Sequence, residues 1–153
     1  MPRPVRLIVV ALLSAWLTGC GILPRTPAGS AEFITADADT VTRLAGDAAR
    51  QLAVELPPAQ TVLAVTPFQE KSQFAASLME QLRLQGFGVE RCGRPCAPTS
   101  VGAIQLSYVA ANIGAQGYRL ALSWPGVVLT RAYVQTGEGL QYAGLWTRGE
   151  LPQ

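Results

Sequence analysis

The chain has 153 residues, with 12 Lys and Arg against 10 Asp and Glu, and no histidine. That length suits one domain with a real core. The missing imidazole excludes Ser-His and Cys-His couples and histidine metal ligands, and a near-neutral balance lacks the clustered cations on which nucleic-acid binding rests.

Arg3 and Arg6 precede an apolar run from Leu7 to Trp16, which ends on Leu17-Thr18-Gly19-Cys20. A charged front followed by about ten apolar residues has the proportions of a secretory leader, whereas a membrane span needs roughly twenty. Leu-Thr-Gly-Cys resembles the bacterial lipobox, in which the cysteine thiol takes a diacylglyceryl group and becomes the first mature residue. The expected organisation is a lipoprotein signal peptide at 1–19, acylated Cys20 with a flexible tether over 20–36, and a single periplasmic α+β domain at 37–150. Removing residues 1–19 leaves 134 residues and takes Arg3 and Arg6 away, so the formal charge of +2 belongs to the leader. Gly21 stands where inner-membrane lipoproteins typically carry aspartate, which favours the periplasmic face of an outer membrane.

Pro24, Pro27, Gly29 and Ser30 give the tether its composition. From Asp37 or Asp39 to Leu56 the period is helical, with Val41, Leu44, Ala48 and Leu52 on one face and Pro57-Pro58 as the stop. Thr61–Thr66 reads as a central strand. A second helix follows from about Ser72 to Gln85, with Ser72 as cap and Gly86 as stop. Phe87–Cys92 returns as a strand. Beyond Pro98 the period drops to two: Ile104, Leu106 and Tyr108, then Tyr118, Leu120, Leu122 and Trp124, then Val127–Val134 and finally Leu140–Arg148. The predicted order is α-β-α-β-β-β-β, an α+β fold with two helices packed on one face of a mostly antiparallel sheet.

Cys92 and Cys96 remain after acylation, and in an oxidising compartment a small loop-closing disulfide is the first reading. Zinc lacks further ligands of the usual type, and the spacing differs from the redox Cys-x-x-Cys. No catalytic residues are expected. Asp37 and Asp39 read as capping carboxylates, and Ser72, Ser77 and Ser100 have no positioned base. The interface candidates are Arg131, Tyr133, Trp146 and Arg148, because Tyr, Trp and Arg are enriched at hot spots. For Trp146 a core position ranks ahead of an interface, and Arg131 and Arg148 are expected to be exposed.

Several segments together resemble the TrbH family of conjugal-transfer lipoproteins. They are Cys20 in its lipobox, Asp47-Ala48-Ala49-Arg50-Gln51-Leu52 leading to Leu56-Pro57-Pro58, Phe74–Leu78 with Gly86-Phe87, and Tyr118-Arg119-Leu120. Leu129-Thr130-Arg131-Ala132-Tyr133 and Ala143-Gly144-Leu145-Trp146-Thr147-Arg148 complete the set. The resemblance implies a lipoprotein of the mating-pair-formation apparatus, a type IV secretion system, that assembles or stabilises the envelope-spanning complex. It implies other channel subunits as partners, an outer-membrane anchor, no direct nucleic acid, no small-molecule substrate and no cofactor beyond the lipid on Cys20. Cys-Gly-Arg-Pro-Cys departs from the family's usual loop. The alternative is a free-standing envelope lipoprotein that regulates or scaffolds a cell-wall or transport complex. Val62–Phe68 with the following helix also looks like the first unit of TolB-type periplasmic domains, a likeness of fold alone.

Overall fold

A computed structural model describes residues 29–151. The expected leader at 1–19, Cys20 and the first part of the tether lie outside the described residues. The elements run β1 (Ala31–Phe33), α1 (Ala38–Glu55), a 3-10 turn (Pro58–Gln60), β2 (Val62–Val65), α2 (Gln73–Leu84), β3 (Gly88–Arg91), β4 (Ile104–Ile113), β5 (Gly117–Trp124), β6 (Val127–Thr136), β7 (Gly139–Tyr142) and β8 (Thr147–Glu150). Among the described residues no helix is long and apolar enough to cross a membrane.

Both helices begin and end where their local chemistry dictates. Asp37 caps α1, its Oδ1 accepting the Thr40 N–H at 2.8 Å. That bond is the first cause holding its carboxyl below the usual range. Ser72 caps α2, its Oγ accepting the Ala75 N–H at 2.9 Å. At the other end of α2, Gly86 turns with φ +93°, the Phe87 N–H returns to the Leu82 carbonyl and the Gly86 N–H to that of Arg83. This is the Schellman arrangement, and buried Phe87 and Leu82 supply its apolar contact. Val41, Leu44, Ala45, Ala48, Ala49 and Leu52 form the buried face of α1, and Phe74, Ala75, Leu78, Met79 and Leu82 that of α2. The small residues of α1 let the helices pack against each other as well as on the sheet.

The eight-stranded sheet follows the path β3-β2-β4-β5-β6-β7, with β1 added beside β4 and β8 beside β6. Pairing is parallel for β3-β2, β2-β4 and β1-β4, and antiparallel from β4 onward. The apolar sides of β4 (Leu106, Tyr108, Ala110), β5 (Tyr118, Leu120, Leu122, Trp124) and β6 (Leu129, Tyr133) are buried with the helices. Because β3 and β4 flank β2, the loop between them passes across β2. Glu90 holds that loop by accepting from Thr99 and Ser100, at 2.8 Å from the Ser100 hydroxyl. The Ser100 hydroxyl is also the main reason the Glu90 carboxyl lies below its usual range. Ala64, in register with Glu90, is fully buried.

The architecture is the expected mixed α+β domain with two helices and a mostly antiparallel sheet. The predicted α-β-α-β-β-β-β order writes four strands after the second helix although the sequence holds five such segments, and β3 to β8 make six. Two further details are corrected. Ala31–Phe33, placed in the 20–36 tether, is a strand paired with Val109–Ala111. Its neighbours fix it: Ser30 Oγ accepts the Tyr108 N–H at 3.1 Å, Thr35 N–H donates to Asn112 Oδ1 at 2.7 Å, and the Ser72 hydroxyl donates to Glu32. Register explains Ser30's role, since β2 leaves β4 at Leu106 and β1 joins only at Val109, stranding Tyr108 between them. The second correction is the last strand, Leu140–Arg148, which is broken into β7 and β8.

Replacing Gly86 by alanine forces a side chain into the left-handed region. We expect a loss of about 1 kcal/mol, read as a lower urea midpoint with an unchanged slope. A midpoint equal to that of the parent chain would contradict this account of the α2 terminus.

Candidate functional site

Among the described residues, the side chain that hydrogen-bonds the largest number of other residues is an aspartate in the middle of α1. Asp47 is buried, and its Oδ2 receives Tyr133 Oη at 2.8 Å, Arg131 Nη1 at 3.0 Å and Trp146 Nε1 at 3.2 Å. Arg50 Nη2, one helical turn on, reaches Oδ1 at 3.3 Å. Two of the donors stand on β6, while Trp146 comes from the segment between β7 and β8.

That segment is a bulge. Tyr133 faces Tyr142 across β6-β7, and Thr130 faces Thr147 across β6-β8, so Ala143–Trp146 lie opposite only Arg131 and Ala132. The chain closes on Arg131. Its Nε donates to the Gly144 carbonyl at 2.9 Å, its Nη1 meets Asp47, and its guanidinium carbon lies 3.7 Å from the centre of the Tyr142 ring. The planar fork thus fastens the bulge, the helix and an aromatic face at once, which an ammonium could not do. Beyond the bulge, Arg148 pairs with Glu55 of α1, and before it Tyr142 Oη accepts Arg50 Nη2 at 3.4 Å. Tyr142, Trp146 and Arg148 therefore all turn towards α1 and bind its polar margin at Arg50, Asp47 and Glu55. Between them Leu145 points outward and is 85% exposed.

The electrostatics favour a rigid assembly over a reactive one. A buried carboxylate is tolerable only when charged and polar donors replace its water. Here Arg131, only 11% exposed, supplies the charge, and Tyr133 and Trp146 supply neutral donors. Burial, followed by the neighbouring Asp47 charge, pushes the Tyr133 phenol well above its ordinary value. Tyr133 therefore keeps its proton and serves as a donor.

Three of the four interface candidates thus converge on one carboxylate, and two of those expectations are corrected. Tyr133 is buried in the core and unavailable to a partner. Arg131, expected to be exposed, is covered because it has Asp47 to neutralise it. Trp146 is half-buried against the core, while Arg148 is exposed. Asp37 serves as a cap, whereas Asp39 is exposed and paired with Arg43 at 2.8 Å. Cys92 and Cys96 are joined by a disulfide with their Cα atoms 5.1 Å apart. Among the described residues no group of three or more potential metal ligands comes together. Asp47 is the residue that sequence reasoning missed. The available signal was an acid at the edge of an apolar stripe, three residues after Leu44 and three before Arg50.

Fold and site define a small single-domain α+β module whose main polar cluster is committed to its own cohesion. The family of the conjugal transfer protein TrbH matches residues 26–150, and the chain belongs to it. It is accordingly a component of conjugal transfer. Comparison with curated proteins and with solved structures finds no match.

Asp47→Ala leaves Arg131 buried and unpaired, and we expect about 3–5 kcal/mol of lost stability in urea unfolding. Tyr133 adds a pH dependence of definite sign. Its folded value is raised, so its stabilisation is complete below the ordinary tyrosine value of about 10 and is lost as pH rises through the folded value. Unfolding titrated upward from neutral pH should therefore show falling stability above about pH 10, with a shallower fall in Tyr133→Phe. Parallel curves for the two chains would contradict this assignment.

Proposed function

We propose that this chain is a non-enzymatic lipoprotein that assembles or stabilises the envelope-spanning channel of a conjugative secretion system. Lipid on Cys20 fastens it to the periplasmic face of the outer membrane, and the α+β domain docks on other channel subunits. The observation that carries the reading is the match to the TrbH family over residues 26–150, immediately downstream of Leu17-Thr18-Gly19-Cys20. Three acyl chains on a mature lipoprotein exceed the two signals needed for stable anchoring.

The docking element in this reading is the β7–β8 edge. It is the outer strand of the antiparallel half of the sheet, and its bulge is held rigid from behind by Asp47 and Arg131. Rigidity lowers the entropy lost on binding, so the exposed Leu145 is presented as a pre-formed anchor.

Two variants test the two parts. Cys20→Ser should abolish palmitate labelling and reduce plasmid transfer from donors; undiminished transfer would count against the anchor. Leu145→Asp should lower recovery of channel subunits with the chain by roughly tenfold or more, at unchanged urea midpoint. Val101→Asp, altering another exposed apolar side chain, serves as control and should change neither. Equal recovery with Leu145→Asp and the parent chain would remove the β7–β8 edge from the reading.

A further inference from the structure

The described chain begins in a corner that Asp47 does not use. The Ser30 carbonyl, just before β1, accepts Arg94 Nη2 at 2.7 Å. The same guanidinium lies 5.5 Å from the Phe68 ring centre, and that ring lies 6.1 Å from Phe33. Phe33 is 68% exposed, although its backbone is fixed in the sheet beside β4. Grooves flank Phe68 on two sides, one carrying Lys71 and the other Arg91 and Arg94. The acidic groups there are Glu32 and Glu70. Glu32 accepts from the Ser72 and Tyr108 hydroxyls, while the Arg91 side chain donates to the Glu70 main-chain carbonyl and leaves the Glu70 carboxylate facing solvent. What remains at the surface is exposed Phe33 against half-buried Phe68, with Lys71, Arg91 and Arg94 in the grooves beside Phe68 outnumbering the two carboxylates by one.

The number of residues between this corner and Cys20 limits how far the corner lies from an anchor there. Eight residues separate Cys20 from Gly29. Fully extended, that stretch spans no more than about 30 Å. An acyl group on Cys20 keeps the corner within that distance of the bilayer, so even a weak surface affinity acts at high effective concentration. Apolar rings settle at the boundary between headgroups and acyl chains, and Lys and Arg complement anionic headgroups. We propose that the Phe33–Phe68 corner, with Lys71, Arg91 and Arg94, docks on the anionic bilayer surface beside the lipid anchor and fixes which way the domain faces. The proposal rests on the reading of Cys20 as acylated.

The test uses the full chain isolated from envelopes, carrying Phe33→Trp, with vesicles of phosphatidylethanolamine and phosphatidylglycerol brominated in their acyl chains. Flotation reads the anchor; quenching of the added tryptophan, relative to the unsubstituted chain, reads the patch. Quenching that is strong on these vesicles and weak on phosphatidylcholine supports the proposal. Lys71→Ala in the same background should then weaken the quenched fraction about fivefold, as for one lost surface cation. Chain that floats but leaves position 33 unquenched overturns the proposal and spares the anchor. Chain that neither floats nor is quenched overturns both. Chain that is quenched without floating keeps the patch and removes the anchor. Equal quenching with and without phosphatidylglycerol, or no effect of Lys71→Ala, overturns the electrostatic part. Shielding of position 33 in native envelopes but not on vesicles overturns the proposal in favour of a protein partner.

Discussion

A carboxylate placed inside a protein must be answered by donors, and the answer given to Asp47 organises half of this fold. Its partners come from β6 and from the bulge between β7 and β8, separated from it in sequence by 84, 86 and 99 residues. Such contacts close long loops, and each must be present for the others to be worth their desolvation. The charge therefore fixes more than a helix position. It selects the one register in which Arg131 can hold Gly144 and Trp146 can reach inward.

The opposite edge of the antiparallel ladder is organised differently. There β4 borrows β2 for one half of its length and β1 for the other, and Ser30 and Tyr108 repair the gap. Glu32 binds the Ser72 and Tyr108 hydroxyls, so the first strand is coupled to the start of α2 and to the core. Arg94, presented by the Cys92–Cys96 loop, closes over the same place. A pull on the chain upstream of Ser30 is thus delivered to a central strand rather than to a loose end.

Most of the secondary structure was legible because it rests on local chemistry. Asp37 and Ser72 announce the two helix starts, Gly86 announces a stop, and Tyr118–Trp124 alternate with the period of a strand lying on a core. Three features were not legible, each for a physical reason. β1 is three residues long and sits next to turn-forming composition, so pattern alone reads it as linker. The bulge inserts two residues, which preserves the alternation of faces, so Tyr142, Trp146 and Arg148 point the same way with or without it. Arg131 was expected in water because arginine is mostly exposed, with its stem covering the rim of a core. Its burial depends on Asp47, a partner that no local spacing reveals.

The account stands most directly on the coupling between Asp47 and Arg131. A double-mutant cycle built from Asp47→Asn, Arg131→Met and the double variant, followed by urea unfolding, isolates it. The account predicts an interaction energy of at least about 1 kcal/mol, with the double variant more stable than the two single losses would sum to. Additive losses within about 0.5 kcal/mol would mean that the two side chains act independently, and would contradict the central role given to the buried charge.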